Sequence, residues 1–214
     1  MHHRLLLAVM SCALPAAAHD SITTKITWSR EVSRIMYARC LGCHRDGGTA
    51  FALETYAQAR PWAKAIKEEV LERRMPPWNA VRGFGHFRND RGLTLDDIAV
   101  IADWVEGGAP EGDPQFLPSV PPAAQPIAPP SAREVPIAGS KVLDRRADAL
   151  GVRATRNLQL VAIRPGGSVE PLVWVRRTNA ADDGYYWFES PLRLPAGTRL
   201  QVTPADSDAV LLVR

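Results

Sequence analysis

The stretch YARCLGCHRDGG, from Tyr37 to Gly48, contains two cysteines and a histidine in the spacing C-x-x-C-H. Two thiols about one helical turn apart can reach the two vinyl groups of one porphyrin. The adjacent imidazole then lies under the iron as its proximal ligand. The motif therefore predicts one covalent haem c per chain, attached at Cys40 and Cys43, with His44 as an iron ligand.

The N-terminus predicts export. A short basic start (residues 1–4) precedes an apolar run (residues 5–14), and Ala16, Ala17 and Ala18 are typical of a cleavage site. We therefore predict a signal peptide over residues 1–18 and a periplasmic or secreted mature protein. We predict no membrane span, because the apolar run is too short to be a permanent one. A lipoprotein processed at Cys12 is the alternative, but Met10 fits that pattern poorly.

The cysteine count favours haem over other uses of the motif. The chain has three cysteines, and removal of the predicted signal peptide leaves only Cys40 and Cys43. A structural zinc site needs four ligands. A thioredoxin-like dithiol would follow a strand, whereas the residues before this motif have helical periodicity.

Proline divides the chain into two parts. Nine of the 18 prolines fall between Pro110 and Pro136, which is typical of an extended linker. We predict a haem domain over residues 22–112, a Pro-rich linker over residues 113–133 and a small β domain over residues 134–214. We expect few contacts to cross such a linker.

The two parts differ in periodicity, and together they predict a two-domain α + β protein. Apolar residues at helical spacing predict helices over Ser29–Arg39, Pro61–Arg74 and Thr94–Gly107, and hence an N-terminal all-α cytochrome c fold. The runs NLQLVAIRP, PLVWVRR, YYWFESPLRL and TRLQVTP predict a small C-terminal all-β domain that resembles a sandwich.

The sixth iron ligand decides between electron transfer and ligand chemistry. Met75, in the stretch RRMPPW, is the best candidate because two prolines stiffen the chain after it. Met36 lies four residues before Cys40 on the same predicted helix, so we expect it to pack in the core. His86 is the alternative ligand, within a loop that contains Gly83 and Gly85.

The order of CLGCH, MPPW and LTLDDIAVIADWVEGGAP resembles the class I cytochromes c. More narrowly, ARPWAKAIKEEVLERRMPPW and FRNDRGLTLDDIAVIADWVEGGAPEGDP are similar to the haem domain of exported bacterial proteins. In those proteins it precedes a copper type II, ascorbate-dependent monooxygenase-like β domain. The resemblance implies Cys40 and Cys43 as haem attachment points, His44 as the proximal ligand and Met75 as the distal ligand.

The chain departs from these families in two ways. No proline lies between His44 and Pro61, although such domains usually carry one whose carbonyl orients the proximal imidazole. Residues 137–214 contain no His, Met or Cys, so the β domain lacks the copper ligands of its apparent relatives and resembles a degenerate form of their domain.

These features predict a monohaem cytochrome c that carries single electrons between redox partner proteins and is not itself an enzyme. Two alternatives remain: a redox subunit that docks on an oxygenase or dehydrogenase through its β domain, and a haem protein that binds ligands as a sensor or enzyme. The formal net charge of only +3 gives no support for nucleic-acid binding.

Overall fold

The computed structural model describes residues 25–123 and 129–214. The predicted signal peptide lies outside the described residues, and so does the middle of the predicted linker.

Helices occupy only the first half of the described chain. The order is a π-helical turn Trp28–Val32, α1 Ser33–Arg39, α2 Tyr56–Ala59, a 3-10 turn Arg60–Trp62, α3 Ala63–Leu71, α4 Leu95–Glu106 and a 3-10 turn Pro114–Phe116. Helix α4 begins where a capping box fixes it, because Thr94 Oγ1 accepts from the amide of Asp97 at 2.9 Å and the Asp97 carboxylate accepts from the amide of Thr94 at 2.8 Å.

Two small apolar clusters hold the helices together. In the larger one, Trp28, Met36 and Trp104 are fully buried, and the rings of the two tryptophans lie 6.0 Å apart. The smaller one contains Val70, Leu93, Ile98 and Ile101. Met36 therefore packs in the core, on the same helix that leads into the C-x-x-C-H motif.

Eight strands follow, all within residues 133–213, and they form two four-stranded antiparallel sheets that share one core. The strands are β1 Arg133–Ala138, β2 Ser140–Val142, β3 Ala147–Arg153, β4 Leu158–Ile163, β5 Val169–Val175, β6 Tyr185–Leu194, β7 Arg199–Thr203 and β8 Asp208–Val213. The sheet orders are β1-β8-β3-β6 and β2-β7-β4-β5. Strand β4 alternates buried and half-buried residues, as a strand with one face on a core should.

The prediction of an N-terminal all-α cytochrome c fold is wrong. The described residues contain more strand (28%) than helix (23%), and the α-helices are only four to 12 residues long. The segment from Trp78 to Asn89, within the predicted haem domain, is not helical and lies against the sandwich. Ala80 forms an antiparallel bridge with Val175, and Phe87 forms one with Phe188.

Burial explains why this segment leaves the helical half. Trp78 and Ala80 belong to the main core of the β sandwich, with Phe87 packed against it. The Trp78 ring lies 5.2 Å from the ring of Tyr186 and 5.9 Å from that of Phe87. The helices are short and their clusters small, so these aromatic side chains bury their apolar area in the larger core that the strands provide.

The first residues of the predicted linker also contact the helical half. Arg34 donates to the carbonyl of Phe116 at 3.3 Å, and Arg45 donates to that of Pro121 at 3.1 Å.

Candidate functional site

The C-x-x-C-H motif forms one tight turn at the end of α1. The amides of Cys43 and His44 both donate to the carbonyl of Cys40, at 3.1 and 3.0 Å. Leu41 is 2% exposed and anchors the turn in the protein. The two thiols and the imidazole therefore project from a single turn whose position is fixed.

Neither cysteine of the motif forms a disulfide in the structure. Cys40 is partly buried and packs against the cluster that contains Trp28 and Met36. Burial above all, and then the nearby charges of Asp97 and Cys43, raise the pKa of the Cys40 thiol to about 12. Within this fold Cys40 is thus a neutral thiol at physiological pH.

A backbone carbonyl orients His44. Its Nδ1 lies 2.9 Å from the carbonyl oxygen of Phe51, and the rings of the two residues meet edge to face with centroids 4.9 Å apart. The acceptor has no hydrogen, so Nδ1 is the donor and the lone pair of the neutral imidazole is on Nε2. Phe51 therefore supplies the carbonyl acceptor for His44, which could not be identified from the sequence.

Met75 lies elsewhere, on an open cleft of about 780 Å³. It follows α3 and is 39% exposed. The cleft lies between the end of α3, the start of α4 and the connection from β5 to β6, and its lining includes Leu71, Leu95 and Arg176. Cys40, Cys43 and His44 do not line it. The structure thus brings together three of the four predicted site residues and leaves Met75 in a separate cleft.

Exposed apolar side chains lie beside both the C-x-x-C-H turn and the cleft that contains Met75. Phe51, which packs on His44, is 49% exposed, and so is Trp62, whose ring lies 4.7 Å from that of Phe51. Leu71 and Leu95, with 52% and 73% exposed, lie beside Met75. Helix α3 begins directly after Trp62 and ends at Leu71, and so connects the two groups. Apolar area of this kind at a surface is typical of a binding site for an apolar molecule.

The alternative ligand and the aromatic residues around it belong to the β sandwich. His86 is exposed, and its carbonyl accepts from the amide of Glu189 at 2.9 Å. Phe84 packs edge to face on Trp174, with centroids 4.8 Å apart. This packing could not be predicted from the sequence, because the partners are about 90 to 100 residues away along the chain.

Among residues 25–123 and 129–214, no group of three or more His, Cys, Asp or Glu side chains could hold a metal ion. In the same part of the chain, no helix has the length and apolar character that a membrane crossing requires.

Comparison with known proteins gives no family. No protein-family model matches this chain, and no curated protein matches it.

Proposed function

We propose that the chain is an exported monohaem electron carrier that exchanges single electrons with redox partner proteins. In this proposal Cys40 and Cys43 hold haem c through thioether bonds, and His44 and Met75 are the axial ligands of the iron. Bound haem c supplies a one-electron Fe(III)/Fe(II) couple.

The observation that carries the proposal is the hydrogen bond between His44 Nδ1 and the carbonyl of Phe51. Histidines that bind metals almost always donate their other ring nitrogen to a carbonyl or carboxylate, which fixes the ring and raises the basicity of the ligating nitrogen. Here that arrangement occurs on the same turn as two cysteines that are free of disulfides.

The remaining residues fit a porphyrin by their chemistry. Phe51, which packs on His44, and Trp62, which packs on Phe51, offer half-exposed aromatic faces. Met75 offers a soft thioether, which favours the reduced iron and raises the reduction potential when it is the sixth ligand. A carrier needs such a closed coordination sphere, whereas a sensor or oxygen-activating enzyme needs an open one.

Haem attachment is tested on protein produced with its signal peptide in a bacterium that matures c-type cytochromes. We expect the band on a denaturing gel to stain for haem, and acidified acetone to leave the haem on the protein. Cys40→Ala combined with Cys43→Ala should abolish the stain, since both thioether bonds are then lost. Complete extraction of haem from the unmodified chain would refute covalent attachment.

Ligation by Met75 is tested with Met75→Ala. We expect the weak red charge-transfer band of His/Met haem to disappear, the potential to fall and the ferrous protein to bind CO. Met36→Leu is the matched control, because this volume-conserving change in the core touches no ligand. If Met75→Ala leaves the spectrum unchanged and His86→Ala alters it, the ligand pair is His44 and His86. If the unmodified protein already binds CO readily, it is a ligand binder and not a carrier.

A further inference from the structure

The segment that carries Met75 is turned away from α3 by an unusual backbone conformation. Arg73 has a φ of 55°, in the left-handed region that residues other than glycine rarely adopt. The amide of Met75 still donates to the carbonyl of Glu69 in the last turn of α3, at 3.2 Å. Met75 is therefore four residues beyond the last residue of α3 and is still hydrogen-bonded to the final turn of that helix.

A loop of the β sandwich, Thr178–Asp182, contacts this segment just before Met75. The hydroxyl of Thr178 donates to the carbonyl of Arg73 at 2.8 Å. The side-chain amide of Asn179 donates to the carbonyl of Arg74. These two carbonyls lie just beyond the end of α3, where no further helical turn supplies a donor, and the loop provides their hydrogen-bond partners.

The same loop contacts the segment again just after Met75, through Asn79. The side-chain oxygen of Asn79 accepts from the amides of Thr178 and Asn179, at 2.9 and 3.0 Å. Its side-chain nitrogen donates to the carbonyl of Asn179 at 2.8 Å. Its backbone amide donates to the Asp182 carboxylate at 2.7 Å.

The second contact is buried and anchored in the sandwich. Asn79 and Asp182 are each 3% exposed. Asp182 also accepts from the hydroxyl of the fully buried Tyr186 and from the amide of Gly184, both at 3.0 Å. Buried polar groups that are fully paired form rigid networks, because breaking one bond leaves a desolvated group without a partner.

We propose that the 178–182 loop positions the Met75 thioether for the iron, so that Thr178, Asn179, Asn79 and Asp182 are positioning residues of the haem site. This inference rests on the proposed function, since it takes Met75 as the axial ligand. A ligand held at both ends before it binds loses less conformational freedom on binding, and its bond competes better with water or added ligands. The β sandwich is then part of the haem site and not a separate docking module.

The test measures how easily an added ligand displaces Met75. Imidazole is titrated into the ferric, haem-loaded protein, and its affinity is read from the absorbance spectrum. Thr178→Val combined with Asn179→Ala removes the two side-chain donors before Met75. Thr178 is exposed and Asn179 is only half-buried, so the chain should still fold. We expect imidazole to bind roughly tenfold more tightly to this double variant than to the unmodified protein. Thr178→Ser combined with Asn179→Ala keeps a hydroxyl donor at position 178, so its imidazole affinity should lie between the two.

Thr198→Val is the matched control. Its hydroxyl also donates to a backbone carbonyl in the sandwich, that of Pro195 at 2.7 Å, but it does not contact the Met75 segment. The control should leave the imidazole affinity unchanged even if it lowers stability. A readout independent of the iron is trypsin cleavage after Arg74, which should be faster in the double variant than in the control.

Met75→Ala separates the two proposals. If this change does not alter imidazole affinity, Met75 is not a ligand, and both the proposed ligation and the positioning role are refuted. If Met75→Ala raises the affinity but the double variant behaves like Thr198→Val, the ligation stands and the positioning role is refuted.

Discussion

Replacing Trp78 with alanine tests whether the helical half and the β sandwich unfold as one unit. Trp78 lies three residues after Met75, is 8% exposed and belongs to the core of the sandwich. Its ring packs edge to face on Tyr186 and Phe87. Truncating a buried tryptophan costs about 3–5 kcal/mol, through lost apolar burial and the cavity left behind.

That loss is large beside a typical free energy of unfolding of about 5–15 kcal/mol. With a urea dependence of about 2–3 kcal/mol per molar, it should lower the unfolding midpoint by roughly 1–2 M. Hydrogen exchange measured by mass spectrometry along a urea series would follow peptides from α4 and β8 separately. We expect both peptides to lose protection together, and both midpoints to fall by the same amount in Trp78→Ala.

Trp187→Ala is the control, because Trp187 is a half-buried tryptophan on β6 that stacks on Tyr185 at 5.8 Å and does not belong to the core. It should cost only about 0.5–1.5 kcal/mol, the value of an aromatic pair. If Trp78→Ala lowers the midpoint of β8 and leaves that of α4 unchanged, the two halves are independent units and the coupling inferred from the core is refuted.

Three further changes test single features by urea unfolding. Thr94→Ala removes the hydrogen bond from the amide of Asp97 to the Thr94 hydroxyl in the capping box of α4. It should lower the free energy of unfolding by about 1 kcal/mol, and an unchanged midpoint would mean that packing alone fixes the start of that helix. Arg73→Gly relieves the left-handed backbone after α3 and should raise the free energy of unfolding by up to about 1 kcal/mol, whereas a decrease would show that the arginine side chain matters more than its backbone. Tyr186→Phe removes a buried hydroxyl that donates to the Asp182 carboxylate and should lower the free energy of unfolding by about 1.5–3 kcal/mol. Burial, and then the charge of Asp182, raise the pKa of Tyr186. The hydroxyl therefore remains a donor, and this loss should not change between pH 6 and 9.

Local features of this protein can be predicted from the sequence. The start of α4 follows from Thr94 and Asp97, which are three residues apart and cap each other. The spacing of Cys40, Cys43 and His44 likewise implies one turn, because residues this close along a chain share their geometry whatever surrounds them. Alternating apolar residues indicate strands such as β4 in the same way.

The hydrogen-bond partners of His44 and of the Met75 segment could not be predicted, because no residue pattern in the sequence marks them. The acceptor for His44 is a backbone carbonyl, that of Phe51, and no side chain in the sequence marks it. The loop that contacts the Met75 segment is about 100 residues away along the chain. Asn79 in that segment and Asp182 in the loop are ordinary polar residues until burial makes their pairing obligatory.

The all-α expectation was wrong because it took no account of packing against segments that are distant along the chain. Helical periodicity in residues 29–39, 61–74 and 94–107 correctly indicated helices, but it says nothing about where the residues between them bury their apolar area. Trp78, Ala80 and Phe87 bury it against strands that are about 90 to 130 residues later in the chain. The sequence by itself determined the local turns, caps and strands, since these depend on neighbours along the chain. Only the tertiary structure decided which core each segment joins, because burial depends on the total apolar surface brought together in space.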